Sequence, residues 1–420
     1  MSLRIYCIAA IAAMTLHACA KHTQPPTDDN SDTRTPVENA IAPNVTVTYT
    51  DESSFVSSLS SYGYKTPDQL NLNRIGVSSG YTAAYGFNIP SANQVKGFKW
   101  NSGDEQTTEW RPQGITGFTW SGRNYLLVTW YGVGPTTIAG VNNQHKGVRI
   151  SLVDITSMSK ITYRHILLVQ NKANMSNSAL YDASNPYVQL GAYAPVTIHA
   201  GGVACYAGKI YVADTGLGIR IFDLTKFISA ATGDTDERIG KESDGTLKAF
   251  NYAYILPQTG YYKITNAKPF SCIELGTGAT ASDKMLWTGQ YIESTETTVP
   301  KVYGFHLNSS GQILTSPQPE VITPIDNDNT NVNGVQGVFR AGTKTFMTTT
   351  GNSSYEGSTA RLVRYNDGAT AGARYRWPHG AEDLYLEQST GYLWNLTEYE
   401  TEKYGADNRC IFAVRLSDYD

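Results

Sequence analysis

Cysteine is scarce and basic charge is not in excess. Five cysteines are spread over 420 residues, and Cys7 and Cys19 precede the region that can fold. The other three, Cys205, Cys272 and Cys410, are an odd number at wide, unpatterned spacing, which excludes a disulfide framework and a cysteine zinc site. They read as small buried hydrophobes, with a Cys205–Cys272 bridge between neighbouring repeats left open. Lys plus Arg number 33 against 37 Asp plus Glu, a formal net charge of −4, and no basic cluster occurs; a nucleic-acid-binding surface is thereby excluded. Also missing are long helical periodicity, histidine pairs at zinc spacing, a phosphate-cradling glycine loop and a Gly-x-Ser-x-Gly elbow. No metal and no cofactor is expected. Asp326-Asn327-Asp328-Asn329-Thr330-Asn331 has oxygens at alternate positions but lacks the glycine and distal glutamate of an EF-hand, so it reads as a solvated loop.

Long apolar runs are missing too, apart from Ile5 to Leu16 after Arg4. That run is too short for a membrane span of about 20 residues and suits a signal-peptide core. It ends in Leu16-His17-Ala18-Cys19, which resembles the lipobox of bacterial lipoproteins, with an atypical His17. Residues 1–18 are thus expected to be a lipoprotein signal peptide and Cys19 the lipidated residue. Residues 19–44 hold prolines and many Asp, Asn and Thr with almost no large apolar side chain, the composition of a flexible tether. The expected protein is exported and held in the cell envelope, at the outer membrane, by its lipid.

What the chain has in quantity is strand and turn chemistry: Gly 38 and Tyr 28, with only 17 % charged residues. Short apolar stretches repeat. One set is Tyr125–Thr129, Ile210–Asp214, Met285–Gly289, Thr345–Thr349 and Tyr392–Leu396. A turn precedes each, and an apolar strand precedes each turn, implying five β-hairpins. A second set follows the hairpins: Leu152–Thr156, Ile221–Thr225, Gly304–Asn308, Leu362–Asn366 and Ala413–Ser417, with a polar column beside an apolar one, as for a strand with one wet face. The expected fold is all-β over residues 45–420, a five-bladed β-propeller with six blades as the variant count and a pair of sandwiches as the structural rival. The last unit lacks a fourth strand, and the segment from Ile75 to Trp110 is available to close the ring by pairing the N- and C-terminal segments. One short helix is expected within Thr225 to Gly240.

Several strings carry a family likeness: His199-Ala200-Gly201-Gly202-Val203 running to Ile210–Thr215, Tyr254–Gly260, Gln336-Gly337-Val338, and Gly380–Leu384 leading to Leu393–Glu398. They resemble uncharacterised exported bacterial β-propeller-like proteins, mostly secreted by actinobacteria, over roughly residues 110 to 416. The resemblance implies the propeller fold and carries no catalytic residues. The lipobox and tether depart from that group and suggest a Gram-negative surface lipoprotein.

In a propeller, the starts of the first strands and the ends of the second strands converge on one channel mouth. This gathers Gln113, His199, Ser271, Gln336 and His379 with Trp130, Asp214, Tyr291 and Glu398. Polar groups mixed with aromatic faces suit a ligand, and Gln113, Trp130, His199, Asp214, Tyr291, Gln336 and His379 are the expected binding residues. The plainer alternative is that they bond backbone within the fold. Trp287 and Trp394 share a column inside second strands and read as core, whereas Trp100, Trp110, Trp120 and Trp377 fall near strand ends or loops. The main functional expectation is a binding module or scaffold for a glycan or an envelope protein. The rival is a carbohydrate-active hydrolase or lyase using Glu382 or Asp383 with Glu398, where carboxylate separation would distinguish retaining from inverting chemistry.

Overall fold

The computed structural model describes residues 44–78, 89, 91–133, 136–138, 141–144, 146–177, 191–233, 238–278, 282–292, 298–324, 334–349, 360–400 and 409–420. The expected signal peptide, Cys19, nearly all of the tether and the Asp326–Asn331 loop lie outside them.

The chain is all-β, and all five expected hairpins form. Sheet 1 runs outward from Trp110–Trp120 through Arg123–Gly132 and Val148–Asp154 to Thr162–Asn171. Sheet 2 holds Val203–Tyr206, Lys209–Asp214, Gly218–Asp223 and Gly260–Thr265, with Thr46–Asp51 added at its outer edge. Sheet 3 holds Phe270–Thr277, Lys284–Gln290, Val302–His306 and Glu320–Ile322, and sheet 4 Val335–Ala341, Lys344–Thr349, Arg361–Asn366 and Ala373–Arg376. Sheet 5 is made of Ala381–Glu387, Tyr392–Thr397 and Cys410–Arg415, and its fourth strand is Gln94–Lys99 from the N-terminal side, in register Ile411 opposite Phe98. The segment before Trp110 therefore pairs with the C-terminal strand. In sheets 1 and 2 the hairpins are closed by Ser121-Gly122 and Ala207-Gly208, each with both residues at positive φ, the primed turn whose twist matches that of its strands.

The first strands of sheets 1 to 5 lie side by side in that order, and the first strand of sheet 5 packs back against that of sheet 1. The core follows from this order. Leu127 and Ile150 of sheet 1 meet Val203 and Ile210 of sheet 2; Ala204 and Tyr211 on the other face of sheet 2 meet Ile273 and Leu286 of sheet 3. Cys272 and Trp287 meet Val338 and Met347 of sheet 4, Phe339 and Leu362 meet Leu384 and Phe412 of sheet 5, and Trp394 and Ile411 meet Ile115 and Leu126 of sheet 1. Alternate side chains of one strand thus enter two different cores.

That packing corrects one expectation in sheet 1, a third strand with one wet face, whereas Arg415 of the third strand in sheet 5 is exposed as expected. All of Val148–Asp154 is buried, because both faces of sheet 1 are covered by neighbouring sheets. A second correction concerns Thr225 to Gly240, whose described residues hold no helix. There Ile228–Ser229 pairs with Tyr254–Pro257, since Ile228 gains more by joining Ile255 in an apolar cluster beneath the edge. Cys205, Cys272 and Cys410 are free thiols, so the Cys205–Cys272 bridge does not form.

Candidate functional site

Four of the five first strands carry the same irregularity near their start. The register shifts between Pro112 and Ile115, between Phe270 and Cys272, between Val335 and Gly337, and between Ala381 and Leu384. A β-bulge frees a residue from the ladder and re-aims its side chain. The residues freed here are Gln113, Ser271, Gln336 and the Glu382-Asp383 pair, all of which are buried. Three of the expected mouth positions and the two candidate acids Glu382 and Asp383 therefore sit at one repeated backbone device.

Below the bulges the strands approach closely. A methyl group on Gly202 would lie 2.1 Å from the Ile273 nitrogen, and one on Gly337 would lie 2.7 Å from the Glu382 carbonyl oxygen, so only glycine allows this contact. Asp383, fully buried, sits at the same level. Its Oδ2 accepts from the backbone nitrogens of Ile115 at 3.3 Å and Val203 at 3.1 Å, tying sheet 5 to sheets 1 and 2. Burial holds its carboxyl well above the usual carboxylate range, against these donors.

Glu382 and Glu398 form the pair above this level. Glu398 Oε2 accepts from Gln113 Nε2 at 3.0 Å. Burial raises its pKa, opposed by the Arg111 charge and a hydrogen bond with Tyr399. Glu382, 1 % exposed, is pushed well above the usual range by burial first and then by the charges of Glu398 and Asp383, with only Arg111 opposing. Its Oε2 has no hydrogen-bond partner among the described residues. The two carboxyls therefore differ in environment: Glu398 has a cation and two donors on its side, and Glu382 has repulsion. Burial disfavours the ionised form of both, and the repulsion from Glu398 and Asp383 adds to this at Glu382, while hydrogen bonds from Gln113 and Tyr399 oppose it at Glu398. The ring of Tyr399 lies 5.0 Å from that of His379, and Tyr131 lies 4.3 Å from His199, giving two aromatic–imidazole walls beside the carboxyls.

In comparisons with known proteins, no family model matches the sequence and no curated protein does. Solved structures similar to it include a GH43_1 enzyme from Xanthomonas citri complexed with xylotriose, at 9 % identity and a TM-score of 0.36 over 73 % of this chain and 88 % of that one. CoXyl43, a GH43 beta-xylosidase/alpha-arabinofuranosidase from a compost microbial metagenome, is at 9 % and 0.36 over 74 % and 93 %. Pseudomonas fluorescens PhoX in complex with vanadate is at 9 % and 0.34 over 84 % and 98 %. At such scores the functional reading rests on this chain's own residues.

The other expected binding residues divide. Gln113, Gln336 and His379 are buried, and His199 and Tyr291 are half-buried; no described contact joins Tyr291 to the carboxyl pair. Trp130 is a correction. It is fully buried, packs edge-on against Trp100 and His165 and donates from Nε1 to Ser151, so it belongs to the core between sheets 5 and 1. Asp214 is another. Its Oδ1 caps the backbone nitrogens of Gly216 and Leu217, and its Oδ2 accepts from Arg220 Nε at 2.8 Å, which makes it a turn residue and the partner of a buried cation.

Two relevant groups were not among the expected site residues. Arg111 lies two positions before Gln113, and its placement at the strand start was the available signal. Glu274 stands in the strand Phe270–Thr277 and is buried. Its Oε1 accepts from Leu275 N at 2.7 Å while Oε2 is unpartnered among the described residues. Burial and then Asp383 raise its pKa well above the usual range. The described residues hold no group of three or more His, Cys, Asp or Glu fit for a metal ion.

Proposed function

We propose that the chain is an exported five-bladed β-propeller that acts on glycans, with Glu382 as general acid and Glu398 as general base or nucleophile. The cyclic order of five sheets and the five inter-sheet cores support the blade count. The observation that carries the activity is the split pair: one carboxyl desolvated, with an unpartnered oxygen and a pKa pushed well up, the other held by Gln113 beside the Arg111 charge. Glycosidic cleavage needs this combination, a proton for the leaving oxygen and an ionised carboxylate opposite it. Arg111 positions and charges the base, and His379, Tyr399, His199 and Tyr131 offer faces and donors for a sugar ring.

A second reading is a glycan-binding scaffold without turnover, favoured by the near-complete burial of Glu382 and Glu398, at 1 % and 5 % exposure. Incubating the exported form with a panel of polysaccharides, and recording retained protein and released reducing ends together, separates the two. Product that disappears in Glu398→Gln and in Glu382→Gln supports the hydrolase; retention with no product supports the scaffold. We also propose a lipid anchor on Cys19 that holds the propeller in the envelope, at the outer membrane. Fatty-acid labelling that persists in Cys19→Ala would rule it out.

A further inference from the structure

A second site lies outside the first strands, on the flank of sheet 1. A cavity of about 270 Å³ is lined by Arg74, Lys146, Arg149 and Arg164 together with Asn251 and Tyr252. Four cations line one space, and two of them, Arg74 and Arg149, share the buried Asp104. Asp104 accepts from Arg74 Nη1 at 2.8 Å and from Tyr163 Oη at 2.7 Å, and its Oδ1 lies 3.3 Å from Arg149 Nη2 and 2.9 Å from His165 Nε2. Lys146 Nζ lies 3.6 Å from Glu109 Oε2. Arg164 has no carboxylate within ion-pair distance among the described residues; its guanidinium lies 5.6 Å from the Tyr254 ring, and burial disfavours its ionised form, with Tyr254 opposing and Arg74 adding to it.

Arg149 makes this a built site. Its guanidinium carbon is 4.6 Å from the rings of both Trp110 and Trp130, so it cannot swing into solvent. It is 5 % exposed, and its Nε has no hydrogen-bond partner among the described residues. A fixed guanidinium anchored on Asp104 in the cavity wall, next to Arg164, which has no carboxylate within ion-pair distance among the described residues, is an arrangement suited to an oxyanion. We propose that this cavity binds an oxyanion group, whether the carboxylate of a uronic acid or free inorganic phosphate or sulfate. The proposal does not depend on the carboxyl pair at the bulges.

The test is calorimetric titration of the whole exported protein at constant ionic strength with phosphate, sulfate, glucuronate and an oligogalacturonate, against chloride as the blank. Two variants probe the cavity. Arg164→Gln removes the unpaired charge. Asn251→Asp adds a negative charge while keeping the acceptor used by Gly233 N and a residue type that tolerates its φ of 63°. Saturable binding of at least one oxyanion, weakened about tenfold or more in each variant, is the expected result. Tighter binding of the uronates assigns the source to a glycan, and binding of phosphate or sulfate alone assigns it to the free ion. No binding beyond chloride, or equal binding in both variants, would overturn the site.

Discussion

Gln113 and Glu398 are 285 residues apart in sequence and joined by a 3.0 Å hydrogen bond. The bond links the bulge of the first strand in sheet 1 to the end of the second strand in sheet 5. It orients one carboxyl of a pair whose other member, Glu382, has an oxygen with no partner. Breaking it by Gln113→Leu removes a donor that favours the ionised Glu398. The expected outcome is an upward move of the lower limb of the pH–rate profile, with the fold intact by circular dichroism.

Substitution of the carboxyls themselves has a larger effect. Glu398→Gln and Glu382→Gln should each lower turnover by about a hundredfold to ten-thousandfold, the range for loss of an acid–base group. Thermal unfolding serves as the control. Glu382→Gln should leave stability equal or higher, because it replaces a desolvated acid by a neutral isostere.

The buried acids Glu274, Asp383 and Glu382 and the Asp104 cluster give stability opposite pH dependences. For Glu274, Asp383 and Glu382 the folded pKa lies above the ordinary one, so the folded protein keeps protons the unfolded chain releases. Their contribution is complete below the unfolded pKa and is lost as pH rises toward the folded value. His165 behaves in reverse: burial, then Arg149, pushes its pKa down from 6.5 to about 3. Its share is lost as pH falls through that window. Denaturant midpoints should therefore form a dome, and Glu274→Gln should flatten its alkaline side by up to about 1.4 kcal/mol per pH unit.

His165 also fixes Asp104. Trp130 donates to Ser151 Oγ at 2.8 Å, and the Ser151 hydroxyl lies 2.8 Å from His165 Nδ1. On its other side the imidazole places Nε2 2.9 Å from Asp104 Oδ1. His165→Phe deprives a buried carboxylate of one of its partners, with Arg74, Arg149 and Tyr163 remaining, and should cost about 1–3 kcal/mol in urea unfolding.

The five hairpins were legible because each second strand follows a turn whose residues, such as Ser121-Gly122, admit the positive φ the hairpin needs. Pairing of Gln94–Lys99 with the last strand was legible from the missing fourth strand of the last unit. The fate of Trp130 was not, because alternation cannot say which sheet will cover a face, and here sheet 5 covers it. Asp214 looked like Glu398, each ending a second strand, yet Arg220 six positions later turns it into an ion-pair partner. Glu274 escaped notice because its burial near Asp383 depends on how tightly the first strands pack, and that follows from glycines such as Gly202, which lies against Cys272 and Ile273.

The central claim is that Glu382 keeps its proton at neutral pH while Glu398 does not. Carboxyl-region infrared difference spectroscopy, comparing the protein with Glu382→Gln across a pH series, tests it directly. A protonated-carboxyl band at neutral pH that is absent from Glu382→Gln and retained in Glu398→Gln is the predicted result. A Glu382 carboxylate already ionised in mild acid, with no such band lost in the variant, would contradict it.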